Sequence, residues 1–242
     1  MKDITRKIAV ILNVRAESNR IPNKMLTSFA GKSLFEICLR KLCKSKVFGL
    51  GDIVLSYDHH NQRFEDIIGD VEKDNKIEFN YYPRSVDSLK AEEDQTLIYE
   101  FHKYLLEELK YEYFILVNPC CPLLSIQTID SFYSTFKYSD KEGLFGVIKK
   151  QNYFWDSNKV PYNLPLPGGI MNTKNPNCKM YEAAHCLYGS KTNLVDKKKF
   201  MGGFTKELGP ELFIVPENET FDIDYPWQFE QGEILYKGLI NG

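Results

Sequence analysis

The sequence predicts an α/β domain built on a largely parallel sheet. Apolar runs with strand character recur at 8–14, 52–57 ("DIVLSY"), 77–82 ("IEFNYY") and 112–117 ("EYFILV"), and helix-period segments separate most of them. No internal repeat or low-complexity tract interrupts the alternation. At 242 residues the chain is long enough to bury a substantial core, and residues 1–242 are taken as a single domain.

The first run, "IAVILNV", follows Lys2, Arg6 and Lys7 and stops at Arg15 after seven residues. That is too short for a secretory signal or a membrane span, so it reads as a buried first strand. A helix follows the next loop. Ser33 is placed to cap it, Glu36 stands three residues on as in a capping box, and Leu34, Cys38 and Leu42 share a face. A second helix is expected over about Glu93–Leu109, where Leu97, Phe101, Tyr104 and Leu105 form a stripe.

From 150 to 180 the texture changes to four prolines, a Gly-Gly pair and several asparagines with little periodicity. Such an excursion reads as an inserted arm that covers an active site or packs on a partner subunit. Regular signals return with a strand, "MYEAAHCLYG" (180–189), a short helix near 190–200 and "ELFIVP" (211–216). The closing segment is "FDIDYPWQFEQGEILYKGL", in which Asp224 is placed to cap a helix with Pro226 in its first turn.

Lysine and arginine number 31 against 33 acids, a net charge of -2, so no global field recommends a nucleic-acid or membrane partner. Any anion site must be local. The six cysteines contain no C-x-x-C pair, which argues against a zinc site or a disulfide framework and for a reducing, cytoplasmic compartment. His59 and His60 are adjacent and would point apart on a strand, so the pair is a poor metal chelate.

Two constellations carry chemistry. The loop "RAESNRIPNKML" (15–26) presents Arg15, Ser18, Arg20 and Lys24 at the end of the first strand, where ligands of open α/β sheets bind. Three cations, a hydroxyl and loop amides suit a polyanion such as a triphosphate; the alternative is a solvated surface loop. Neither a P-loop nor a G-x-G-x-x-G fingerprint is present. Late in the chain Asp222 and Asp224, two residues apart, share one side of an extended segment and suit Mg²⁺; the alternative is a helix cap beside a solvated acid.

The order R-x-x-S-x-R-x-P-x-K-x-L resembles the amino-terminal signature of the cytidylyltransferases that activate acidic sugars, the CMP-sialic acid and CMP-Kdo synthetases. Further segments follow in order. "VLSYDHHN" (54–61) resembles the family's V-S-T-D strand, and "LVNPCCPLL" (116–124) its L-L-Q-P-T-S-P-L-R segment. "EAAHCLYG" (182–189) is similar to its N-G-x-x-Y strand and "FDIDYPWQFE" (221–230) to its closing I-D-I-D-x-x-x-D-F segment. "YYPRSVDSLKAEEDQTLIYEF" resembles the family stretch in which an R-P is followed by a leucine and then an aspartate before a helix, and Arg84 and Asp94 hold the corresponding places, although Arg84 alone is equally a turn residue.

The resemblance implies a three-layer, Rossmann-like nucleotidyltransferase fold with a mostly parallel central sheet and an irregular arm at 150–180. It implies transfer of CMP from CTP, with Mg²⁺, to a small anionic acceptor, a 2-keto-3-deoxy sugar acid, in a homodimeric enzyme. Arg15, Ser18, Arg20 and Lys24 would then contact the CTP phosphates, Arg84, Asp94 and Asn118 the cytosine and ribose, and Asp222 and Asp224 the metal. Arg15, Lys24 and the two aspartates would be the catalytic set. His185 and Tyr188 would meet the acceptor, or else pack in the core.

The chain departs from the family pattern at Glu17, Asn19, Asn118, Cys120, Cys121 and Gln228. Alternatives are a phosphate or phosphonate acceptor giving a CDP-linked product, a D-x-D glycosyltransferase, and a nucleotide-binding protein without catalysis.

Overall fold

β1 (Ile8–Asn13) stands inside the sheet because every residue but its last is buried on both faces. It pairs in parallel with β4 (Ile53–Tyr57) on one side and β6 (Tyr113–Val117) on the other. The computed structural model describes residues 6–85, 101–163, 170–172, 179–197, 199–203 and 209–241. β5 (Asn80–Pro83) extends the sheet beyond β4; β8 (Lys179–Lys191), β7 (Gly143–Gln151) and β9 (Glu211–Ile214) extend it beyond β6. A small hairpin, β2 (Ser28–Phe29) and β3 (Lys32–Ser33), stands apart. Among the described residues the main sheet has seven strands, of which β8 alone runs against the others.

Alternation along β1 sorts the core into two layers. Ile8, Val10 and Leu12 face a large cluster that includes Leu34 and Leu39 of α1 (Leu34–Leu42), Phe64 and Ile68 of α2 (Gln62–Asn75), and Phe132 and Phe136 of α3 (Ile126–Tyr138). Ala9 and Ile11 face the opposite layer, with Val54, Phe101, Leu105 and, from α4 (Asn193–Asp196), Val195. The three-layer α/β architecture expected from the sequence is the one found.

Local chemistry explains several boundaries. Ser33 Oγ accepts the N–H of Glu36 at 3.1 Å, but the Glu36 carboxylate turns to Lys32 and Arg40, so only half of the expected capping box forms. The strand expected at 77–82 begins only at Asn80. α2 ends on a left-handed Lys76 (φ 54°), and the N–H groups of Ile77 and Phe79 go to the Glu72 carbonyl and carboxylate, which removes them from the ladder.

Only the last turns of the helix expected at Glu93–Leu109 fall among the described residues. There Phe101 and Leu105 are buried, and the turn Tyr104–Glu108 is π-helical. α3 and β7 are two elements that the sequence reading did not place. In β7 a glycine at 143 and another at 146 break the apolar run, and its last residues are polar and partly exposed. Gly143 is glycine because a Cβ there would overlap the Met201 carbonyl and lie 2.8 Å from the Met201 Cα. Gly143→Ala is therefore expected to lower stability by about 1–3 kcal/mol in urea unfolding, the penalty of overpacking against backbone.

The closing helix α5 (Pro226–Asn241) lies on the hairpin through Phe29, whose ring meets Phe229 edge-on at 5.2 Å and Tyr236 at 5.6 Å. Glu233 accepts the Ala30 N–H at 2.9 Å. These contacts bring the end of the chain back over the loop that follows β1.

Candidate active site

The cationic loop is pinned at its far end and open at its near end. Ile21, Lys24, Met25 and Leu26 are buried, while Glu17, Asn19 and Arg20 are exposed and Arg15 and Ser18 are partly buried. Asn23 takes a left-handed backbone (φ 53°) and its carbonyl accepts the N–H groups of Leu26 and Thr27. This tight turn points Lys24 back under the loop.

Opposite stands the extended segment 221–224. Ile223 is fully buried, its N–H donates to Cys120 O at 3.0 Å, and its carbonyl accepts Lys24 Nζ at 2.6 Å. With Ile223 turned into the core, alternation turns Asp222 and Asp224 the other way, toward the cationic loop. Asp224 Oδ1 lies 2.9 Å from Arg20 Nη2 and 3.3 Å from Lys24 Nζ.

Asp224 does not cap α5, as the sequence led one to expect, because its carboxylate is held by these cations. Gln228 takes up the helix start instead: its Oε1 accepts the N–H groups of Asp224 and Tyr225, each at 2.8 Å. The amide that replaces the family's last acid thus fixes the backbone of the D-x-D segment.

Between the two segments lies a cleft of ≈ 470 Å³ at the carboxyl ends of β1 and β6. Its walls include Arg15, Ser18, Arg20, Lys24, Arg84, Asn118, Tyr188, Asp222 and Asp224. Asp94 lies outside the described residues. His185 is not in the wall but is joined to it, its Nδ1 lying 3.2 Å from Tyr188 Oη. Burial pushes the Tyr188 phenol well above its ordinary range, so that hydroxyl stays protonated and available to donate.

Two residues of the wall also carry structural hydrogen bonds. Arg84 is buried, and its Nη1 donates to Asn13 Oδ1 at 2.9 Å and Val14 O at 3.3 Å, so it braces the end of β1 as well as lining the cleft. Asn118 has both ends of its amide in use: Oδ1 accepts the Cys120 N–H at 2.9 Å, and Nδ2 donates to His185 O at 2.8 Å. It holds the loop after β6 against β8. Sequence reasoning also missed Lys41, whose largely buried amine donates to Pro122 O at 2.7 Å and fastens the same loop from below.

The donor set suits a divalent cation. Asp222 Oδ1 is buried and without a hydrogen-bond partner among the described residues. Burial, then the neighbouring Asp224, raise the Asp222 pKa, while Lys24, His185 and Arg20 oppose the shift. A metal ion would satisfy the orphaned oxygen. No group of three or more potential metal ligands occurs among the described residues, so the protein atoms near Asp222 and Asp224 offer two carboxylates and no third ligand of that kind.

The fold is similar to that of a CMP:2-keto-3-deoxy-manno-octonic acid synthetase complexed with CTP, with a TM-score of 0.65, 10% identity, and 96% of this chain and 99% of that chain covered. It is similar to a 4-diphosphocytidyl-2C-methyl-D-erythritol synthase from Anaerococcus prevotii DSM 20548, with a TM-score of 0.64, 13% identity, and 98% and 97% covered. A cytidylyltransferase from Leptospira borgpetersenii serovar Hardjo-bovis (strain JB197) matches with a TM-score of 0.59, 15% identity, and 98% and 93% covered. No curated protein sequence matches the chain. The sequence model of the cytidylyltransferases matches residues 9–238, almost the full length, and the chain accordingly belongs to the cytidylyltransferase family, as a CTP-dependent nucleotidyltransferase.

Proposed function

We propose that the enzyme transfers CMP from CTP to a small acidic sugar, a 2-keto-3-deoxy sugar acid, with Mg²⁺ and release of pyrophosphate. The observation that carries this reading is the shared cleft: cations of the first loop and the two late aspartates, some 200 residues apart in sequence, line it together, with Lys24 and Arg20 in contact with Asp224. An acceptor oxygen attacks the α-phosphorus in line. The bond from that phosphorus to the bridging oxygen of the β-phosphate breaks, pyrophosphate leaves with the bond pair, and the acceptor's proton passes to solvent or a basic group.

Arg15, Arg20 and Lys24, with the Ser18 hydroxyl, would bind the β- and γ-phosphates and stabilise charge on the leaving group. Arg84 would keep the end of β1 in place beneath the nucleotide. Asp222 and Asp224 would hold Mg²⁺, which when bound supplies charge neutralisation and polarises a phosphate oxygen. For Asp224 this requires a change of partner, since in the free protein it is paired with Arg20 and Lys24.

The acceptor side is the β8 side. Tyr188 lines the cleft and His185 bonds to it, and two hydrogen-bonding rings suit a carboxylate. The same pair suits a phosphate or phosphonate, whose transfer would give a CDP-linked product, and the near-equal fold likeness to the diphosphocytidyl synthase keeps that second reading in view. The arm leaves the sheet at the end of β7 and returns into β8, at the edge that bears the cleft. Its described residues include exposed Trp155, Tyr162, Ile170 and Met171, which supports a cover over the acceptor or a contact within a cytoplasmic homodimer.

A pyrophosphate-release screen with CTP and Mg²⁺ against acidic sugars, sugar phosphates and phosphonates tests the proposal. Release is expected with CTP and a 2-keto-3-deoxy acid and should vanish with EDTA. Release only with phosphorylated or phosphonate acceptors would replace the acidic-sugar reading with the CDP-forming one.

A further inference from the structure

The pairing of β7 with β8 is regular up to Phe145 opposite Tyr188, then resumes at Val147 opposite Ala183. One β7 residue therefore faces four of β8, and within that bulge His185 has φ 52°, a left-handed conformation uncommon outside glycine. The strain falls on an exposed imidazole that bonds to a residue of the cleft wall and lies within electrostatic reach of Asp222. Strain of this kind persists only where surrounding contacts enforce it. Asn118 is bonded to this bulge at two successive carbonyls. Its Nδ2 donates to the His185 carbonyl, its backbone N–H donates to Cys186 O at 2.9 Å, and its Oδ1 is taken by Cys120 N–H.

We propose that Asn118 is a positioning residue for the acceptor rather than a reader of the cytosine: it locks the β8 bulge so that His185 presents its imidazole beside Tyr188 as the determinant of acceptor specificity. This inference rests on the reading that His185 and Tyr188 meet the acceptor. Asn118 thereby links the loop on the nucleotide side to the strand on the acceptor side through one amide.

The test compares Asn118→Ala, His185→Gly and the double variant. Asn118→Ala is expected to raise KM for the acceptor on the order of 10-fold, the effect of a small misplacement, with the affinity for CTP within about two-fold of the parent. His185→Gly should raise the same KM at least as much without lowering the unfolding midpoint, because glycine relieves the left-handed backbone. The double variant should be no worse than His185→Gly alone. Asn118→Ser, which keeps a short polar group for the Cys120 N–H, replaces the alanine variant should that fail to fold.

Weakened CTP binding with an unchanged acceptor KM would return Asn118 to the nucleotide site and overturn the proposal, as would effects that multiply in the double variant. An NMR measurement on the free protein separates this inference from the functional reading on which it rests. The His185 ring resonances should move in Asn118→Ala, and unchanged resonances would overturn the positioning role whatever the acceptor proves to be.

Discussion

Replacing Lys24 by alanine is expected to lower pyrophosphate release from CTP by ~10²-fold or more, the usual loss when one charged contact to a developing negative charge is removed. Lys24 is the residue on which the two halves of the site meet. It is buried, its Nζ reaches the Ile223 carbonyl at 2.6 Å and Asp224 Oδ1 at 3.3 Å, and it borders the cleft. On the proposed function the alanine variant loses a cation for the leaving group, and with it the tether to the D-x-D segment. Lys24→Arg should recover only part of the activity, because a planar guanidinium cannot occupy the space of a compact ammonium donating to a carbonyl. Steady-state pyrophosphate release, with circular dichroism to confirm the fold, measures both. A Lys24→Ala enzyme that keeps near-parental turnover would remove the cationic loop from the mechanism.

Asp222→Asn is expected to abolish Mg²⁺-dependent turnover while raising the melting temperature at neutral pH. The two effects share one cause. The Asp222 carboxylate is partly buried, has an oxygen without a partner, and stands beside Asp224, so its pKa in the folded protein is raised above that of an unfolded aspartate. Below the ordinary carboxylate range both states are protonated and the residue is neutral toward stability. As pH rises through the raised native pKa, a charge must be held in the fold, and stability is lost.

The neutral amide avoids that loss. The gain of Asp222→Asn over the parent should accordingly be present at neutral pH and shrink to nothing in acid. With no nucleotide present, Mg²⁺ should raise the parent's melting temperature and leave the variant's unchanged. A variant that is less stable than the parent at neutral pH, or that still responds to Mg²⁺, would show that Asp222 is a structural carboxylate and not a metal ligand.

Much of the local chemistry was legible in the sequence. The cationic loop and the D-x-D stand out as residue types, and the strand that ends at the loop places the first of them at the carboxyl edge of the sheet. The cleft brings together residues from both, with Asn118 and Tyr188 between them. Gln228 is a different case. By pattern it reads as a lost acid, whereas its amide accepts two N–H groups at the start of α5, a use that follows only from the turn at Asp224 and Tyr225. Glu17, which places a carboxylate within the cationic loop, turns out to be exposed, and its carbonyl accepts Arg15 Nε at 3.1 Å.

By itself the sequence determined many of the strands and helices and the faces they bury, though not α3 or β7, because a period of two or of 3.6 residues is written into neighbouring positions. It also determined the inventory of charges available for a polyanion and a metal. Only the tertiary structure decided that β8 runs against its neighbours, that its bulge strains His185, and that Lys24 touches Asp224 across 200 positions of chain. Strand direction, register and long-range ion pairs depend on which surfaces are left to be covered once the whole core has assembled. No window of neighbouring residues contains that information.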